Sequence, residues 1–436
     1  MAFYDGNKPG GIPGLLPPSA IGSYNWWESG ALWGQSFGHL PFSSANSYRY
    51  YTGDDQYNQM IADGIQFQVG PANNFEPINQ TRTEGNDDQA FWAFAAMTAA
   101  ETKFPPPKSG QPSWLALAQA VFNRQAARWD MDHCNGGLRW QFSSFNNGYM
   151  DKNTISNGCF FQLAARLARY TKNETYSQWA DKAYDWLAQS PLISHQFEVF
   201  DSISFTDQAC DGPVGPIQWT YNIGTLIAGA AYTNGEQKWK NRLNGLLGNT
   251  QKVFFPENYG GKTMVEYACE PLKNCNKDQR SFKAYLARWL AVSAQLAPFS
   301  QGTIIPWIQT SAQNAAKACS NTDKGLACGR VWYENKDDGE RDVGNQMTAM
   351  SVVQSNLILG AKTLADIGSG DSKSDPSAGG GGSSSVPDRI YTRKITTGDK
   401  AGAWLLTAVA LLGSLAGMVA LLVEGDDVRA FRGSWA

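Results

Sequence analysis

A pattern that recurs six times restricts the possible folds more than any other feature of the chain. A polar or aromatic cluster leads into an almost unbroken run of apolar and small residues. Examples are Asn86-Asp87-Asp88-Gln89 before FWAFAAMTAA, Asn153 to Gly158 before CFFQLAARLA, and Gln218 to Asn222 before IGTLIAGAA. Anchored on Trp27, Asp87, Asn153, Trp219, Gln279 and Asn345, the spacings are 60, 66, 66, 60 and 66 residues. Apolar residues fall at helical intervals, as in Phe160, Leu163, Ala164 and Leu167, or Phe282, Tyr285, Leu286 and Trp289. Between these runs lie amphipathic segments such as YSQWADKAYDWLAQ and QKWKNRLNGLL. A helix that is apolar all round is buried, and one with a single apolar stripe lies at the surface. Six of the first kind alternating with the second predict an all-α fold, an (α/α)6 barrel whose polar clusters converge at one end. Only five outer helices are legible, so the barrel is expected to lack its first N-terminal helix, placed before residue 1.

The barrel is expected to occupy residues 1–366. A Gly/Ser-rich linker follows over 367–400, with Gly368 to Pro387 carrying too little apolar surface to fold. Residues 401–423 hold no charge and are long enough to span a bilayer, either as a transmembrane helix or as the tail of a glycosylphosphatidylinositol (GPI) signal. The tail 424–436 is polar. Met1 to Pro18 has none of the character of a signal peptide, which suggests a truncated N-terminus. A formal charge of −3 offers no basic field, so nucleic acid is excluded as a partner. Seven cysteines and three histidines show no zinc spacing, and no metal or cofactor is expected. Cys269/Cys275 and Cys319/Cys328 bracket short polar loops as disulfides would, and Cys134 is assigned to Cys159, leaving Cys210 free. Sequons at Asn79 and Asn173 agree with a secreted, oxidising compartment, with the chain held at the extracellular face of the plasma membrane or in the wall.

The chemistry rests on Asp87-Asp88. The dipeptide alone means little, because Asp54-Asp55, Asp337-Asp338 and Asp426-Asp427 also occur, in contexts that read as solvated. Asp87-Asp88 instead enters an aromatic inner helix. Asn86 can cap that helix and acids favour its first turn, so an ordinary helix start is the competing reading. Against it, a second carboxylate beside Phe91 and Trp92 carries a desolvation and like-charge cost. Glycoside hydrolysis needs such a pair, one carboxyl ionised and one protonated. Neighbours on a helix project about 100° apart, which puts their carboxyls roughly 5–6 Å from each other, the separation of retaining enzymes. Trp26, Trp27, Glu28 and Trp33 are candidates to line the cleft. Asn146, Asn147, Tyr149, Lys152 and Asn153 are candidates to bind sugar hydroxyls, with an Asn/Gly turn as the plainer reading. Trp219, Tyr221, Asn222 and Gln346 belong to further inner-helix clusters. Lys283 and Arg288 either pair with the carboxylates or reach solvent.

The ordered set YNWWESGALWG (24–34), GNDDQAFWAFAAMTAAE (85–101), FNNGYMDKNTISNGCFFQLAARLARYT (145–171), QWTYNIG (218–224), DQRSFKAYLARWL (278–290) and GNQMTAMSVVQSNL (344–357) resembles the fungal members of glycoside hydrolase family 76. The resemblance implies endo-α-1,6-mannosidase or transglycosidase activity with retention, Asp87 as nucleophile and Asp88 as general acid/base. It also implies α-1,6-mannan or the GPI-anchor glycan as donor, with β-glucan as an acceptor in wall assembly. A non-catalytic mannan-binding wall protein on the same scaffold is the alternative. An insertion at 37–47, with helix-breaking Pro41, departs from the family pattern.

Overall fold

The computed structural model describes residues 4–16, 23–34, 46–206, 208–233, 235–323 and 325–379, with scattered positions between 397 and 414. Its helices in chain order are α1 Trp26–Trp33, α2 Asn46–Thr52, α3 Asn58–Phe67, α4 Asn86–Glu101, α5 Trp114–Ala127, α6 Thr154–Thr171, α7 Glu174–Gln189, α8 Thr220–Tyr232, α9 Gln237–Phe254, α10 Phe282–Leu296, α11 Gln301–Lys317 and α12 Val343–Ser355. Helices α1, α4, α6, α8, α10 and α12 start at the six sequence clusters and pack side by side in that order. The Tyr24 hydroxyl, just before α1, accepts the Val343 N–H at the start of α12 (3.1 Å), joining the two ends of the series. Helices α3, α5, α7, α9 and α11 return the chain along the outside. The fold is an all-α helical barrel over one contiguous core.

Sequence explains the division. Helix α6 buries residues on every side, whereas α7 buries Tyr176, Ala180, Ala183, Tyr184, Trp186 and Leu187 and exposes the opposite face. Small residues let inner helices approach closely. A Cβ on Gly158 of α6 would lie 2.2 Å from Thr225 Oγ1 on α8. The little β structure caps the barrel: strands β1 Asp151–Asn153, β2 Ser202–Ser204 and β3 Val214–Gly215 form an antiparallel sheet, and β4 Cys319–Thr322 pairs with β5 Gly325–Cys328.

Three expectations change. Cys134 is bonded to Cys210, and Cys159 is the free thiol, buried within α6. The two bonded residues sit on mouth loops already joined by the Cys134 N–H donating to the Gln208 carbonyl (2.7 Å), whereas an inner-helix residue cannot reach that surface. The other two bridges stand as expected. Part of the linker is not free: residues to Gly379 lie along α5, fixed by hydrogen bonds that their polar composition supplies in place of apolar packing. Asp337-Asp338 is not simply solvated either. Asp337 pairs with Arg341, and the Asp338 carboxylate accepts the Arg330 and Val331 N–H groups, organising the loop after β5.

Insertion 37–47 lies outside the described residues except for the start of α2, and Asp426-Asp427 lies outside them altogether. Segment 401–423 is described only at scattered helical positions, and among the described residues no helix is long and apolar enough to cross a membrane.

Candidate active site

The inner helices all begin at one end of the barrel, and there a cavity of about 460 Å³ opens. Trp26 and Trp27 of α1, Asp87, Asp88 and Phe91 of α4, Tyr221 of α8 and Phe282 of α10 line it. Loop residues complete the wall, among them Tyr24, Asn25, Gln80, Thr83, Glu84, Trp140, Gln141 and Asp278.

Helix α4 starts on Gly85, so Asp87 and Asp88 occupy its first turn. The Asp88 carboxylate turns back to accept the Gly85 N–H (2.7 Å). A Cβ on Gly85 would lie 2.4 Å from Asp87 Oδ1 and 3.0 Å from the Trp140 carbonyl, so glycine leaves the space that this carboxylate fills. Residues 84–86 pair with 140–142: Asn86 N–H donates to the Trp140 carbonyl (2.9 Å), and Phe142 N–H to that of Glu84 (3.3 Å). Gly148, at φ +88°, sits so near that a Cβ there would meet the Trp140 ring at 2.0 Å. The turn at 146–149 thereby seats Trp140 in the wall.

Electrostatics sets the pair apart. Burial pushes the Asp87 carboxyl up to about 7, although the first-turn N–H groups of α4 and Ser156 pull the other way and Asp201's charge adds to the rise. Asp88 is driven well above the carboxylate range by burial, then by the charge of Asp87. Burial also raises Glu84, with the charge of Glu76 adding to it, and lifts Glu28 to about 8, with Asp278's charge adding to it. None of the described lining residues is Lys, Arg or His. A cavity walled by carboxyls and aromatic rings, with no cation to neutralise it, retains protons and suits an uncharged polyol, whose C–H faces stack on rings. Among the described residues no cluster of His, Cys, Asp or Glu fits a metal.

The chain matches the profile of glycosyl hydrolase family 76 over residues 1–366. It belongs to that family. It is 43% identical over 416 residues to mannan endo-1,6-alpha-mannosidase DCW1 of Saccharomyces cerevisiae, a match covering 94% of this chain and 87% of the relative. It is similar to the crystal structure of Dfg5 from Chaetomium thermophilum in complex with glucosamine, at TM-score 0.79 and 41% identity, covering 87% of this chain and 92% of the other. The GH76A α-1,6-mannanase of Salegentibacter sp., crystallised as an inactive variant with α-1,6-mannotetrose, shares the fold at TM-score 0.62 and 17% identity, over 80% of this chain and 94% of its own. This family 76 chain is a glycoside hydrolase.

Of the predicted site residues, Asp87, Asp88, Trp26, Trp27 and Tyr221 meet in the cavity. The others do not line it. Trp33 donates its indole N–H to the Gly14 carbonyl (2.7 Å) and packs the N-terminal segment. Asn146 holds Gln141 (2.9 Å) and the Arg82 carbonyl (2.8 Å), supporting the wall from behind; Asn147 is exposed in the same turn, and Arg139 covers the Tyr149 ring. Lys152 is wholly buried, donating to the carbonyls of His133 (2.6 Å), Gly136 and Asp130. Burial lowers its pKa to about 8 despite Asp130. Asn153 caps α6 through Ser156, Trp219 packs edge-on to Phe282, and Asn222 holds Asp201 (2.9 Å). Lys283 pairs with Glu270 (2.7 Å) and Arg288 donates to the Gly34 carbonyl (2.6 Å), so both alternatives for these cations are replaced by a structural role. Gln346 accepts the Cys328 N–H (3.1 Å) and fixes β5. Asn79 and Asn173 are both exposed, and Asn173 caps α7.

Sequence reading missed Glu84, Trp140, Gln141 and Asp278. Glu84 stands one glycine before Asn86-Asp87-Asp88, and Asp278 opens DQRSFK, so adjacency to the clusters was their available signal.

Proposed function

We propose that the chain is a retaining endo-α-1,6-mannosidase with capacity for sugar transfer, acting on α-mannan or a GPI-anchor glycan in fungal wall assembly, with β-glucan as an acceptor. The mannan endo-1,6-alpha-mannosidase named among its relatives supports the linkage. The observation that carries the mechanism is the buried Asp87-Asp88 pair in a cation-free cavity, which holds one proton near neutrality. Asp87, the less raised and helped by helix N–H groups, is the ionised partner and attacks the anomeric carbon. Asp88 gives its proton to the leaving oxygen as the glycosidic bond breaks. It then takes a proton from water or an acceptor hydroxyl, whose oxygen displaces Asp87 from the anomeric carbon.

A purely binding role is disfavoured by the cost of burying two adjacent carboxyls without a cation. Proton NMR of the first product from α-1,6-mannotetraose tests the reading. An α-configured reducing end is expected; a β-configured one would rule out the double displacement.

A further inference from the structure

Because every inner helix begins at the cavity, the loops before those helices form the mouth face, and the loops after them form the base. Among the described residues of the barrel, the most exposed large apolar side chains are Phe145 (82%), Ile78 (75%) and Leu272 (69%), all on mouth loops. They ring the cavity. Ile78 stands two residues before Gln80 of the wall, and the turn bearing Phe145 is tied to Gln141 through Asn146. Leu272 lies in the loop closed by Cys269–Cys275, which runs on to Asp278.

The strap after the last inner helix leads to the same face. It leaves the base, where Ala365 N–H donates to the Glu101 carbonyl and Ile367 N–H to that of Tyr170, each at the end of an inner helix. It then climbs α5 from its first turn, where Leu115 N–H reaches Ser372 Oγ (2.9 Å), past Gln119, which accepts the Asp375 N–H (2.7 Å). Near the top, Asn123 donates to the carbonyls of Pro376 (2.9 Å) and Ala378 (2.8 Å). The chain after α5 continues into Trp140 and Gln141 of the cavity wall. Residues 380–400 then separate the strap from the uncharged segment 401–423. A flexible Gly/Ser-rich connection of that length spans only ~25 Å on average.

We propose that the mouth face rests on a phospholipid bilayer through Phe145, Ile78 and Leu272, so that the cavity draws its donor sugar from a membrane-borne glycan. This rests on the reading that segment 401–423, or a lipid anchor replacing it, holds the chain at a membrane. Docking of the strap shortens the tether on the mouth side and lengthens it on the base side, which selects that orientation. Exposed aromatic and aliphatic side chains ringed by polar loops are suited to the headgroup boundary.

The test uses the full chain in phosphatidylcholine vesicles, with a bimane label on Phe145→Cys or on Phe299→Cys, the latter in the base turn between α10 and α11. Lipid-borne nitroxide is expected to quench the label at 145 and spare that at 299. Equal quenching, quenching at 299 alone, or none at either would overturn the proposal. A second arm compares Ile78→Ser/Phe145→Ser with the unmodified chain. Turnover of a mannosyl lipid in those vesicles is expected to fall about tenfold or more, with turnover of soluble α-1,6-mannotetraose unchanged. A parallel fall on both substrates would also overturn it. Failure of the unmodified chain on soluble substrate would instead count against the mannosidase reading, and the quenching would still report docking.

Discussion

At the scale of single residues, the space around Asp87 is set by an atom that is absent. Gly85→Ala places a methyl 2.4 Å from Asp87 Oδ1, so the carboxylate must move. Steady-state kinetics on α-1,6-mannotetraose are expected to show a loss of roughly 10²-fold or more, since displacements near 1 Å cost that much. The backbone at Gly85 (φ −103°) is open to alanine, so Tm should change little. The charge of Asp201 raises Asp87. Asp201→Asn removes that contribution, so Asp87 ionises at lower pH, and the acid limb of kcat/KM, near 7 in the parent, is expected to move down. A limb that stays or rises would deny Asp87 the role of ionised partner. Asp87 and Asp88 were legible as chemistry because two acids entering an apolar helix conflict with burial. Lys152 and Lys283 misled for the same reason: a cation in an apolar stretch signals a burial problem, and here neighbouring carbonyls and carboxylates solve it without substrate.

At the scale of elements, the loops are less legible than the helices. Period and apolar burial identify α4, α6, α8 and α10 almost to their first turns, because a helix start depends on a few local residues. The pairing of 84–86 with 140–142 and the bridge from Cys134 to Cys210 join segments far apart in sequence, which no local pattern encodes. The bridge closes a separation of 76 residues. Cys210→Ser is expected to cost about 2–5 kcal/mol in chemical denaturation. Cys159→Ala should leave all three bridges intact while abolishing the one thiol that reacts after unfolding, as counted by mass spectrometry. The strap along α5 escaped the sequence reading for a related reason. Its Ser, Asp and Gly residues look like a free linker, and only Gln119 and Asn123, which are unremarkable as a pair in sequence, show what holds them.

At the scale of the whole molecule, the barrel concentrates buried carboxyls at one end. Asp87 is raised to about 7 and Glu28 and Glu266 to about 8, mainly by burial. Unfolded carboxyls ionise near 4, so between about pH 4 and 8 the folded state binds more protons than the unfolded chain. Stability therefore falls as pH rises through that window, and Tm by calorimetry is expected to be lower at pH 8 than at pH 5. The same proton retention arms the catalytic pair. The most direct test of that claim is hydrolysis of α-1,6-mannotetraose by the unmodified chain, Asp87→Asn and Asp88→Asn, each first shown to be folded. Turnover by the unmodified chain and a loss of about 10³-fold or more in each variant is the predicted result, because neither half of a double displacement proceeds without its partner. Hydrolysis that persists in either variant near the parent rate would contradict it.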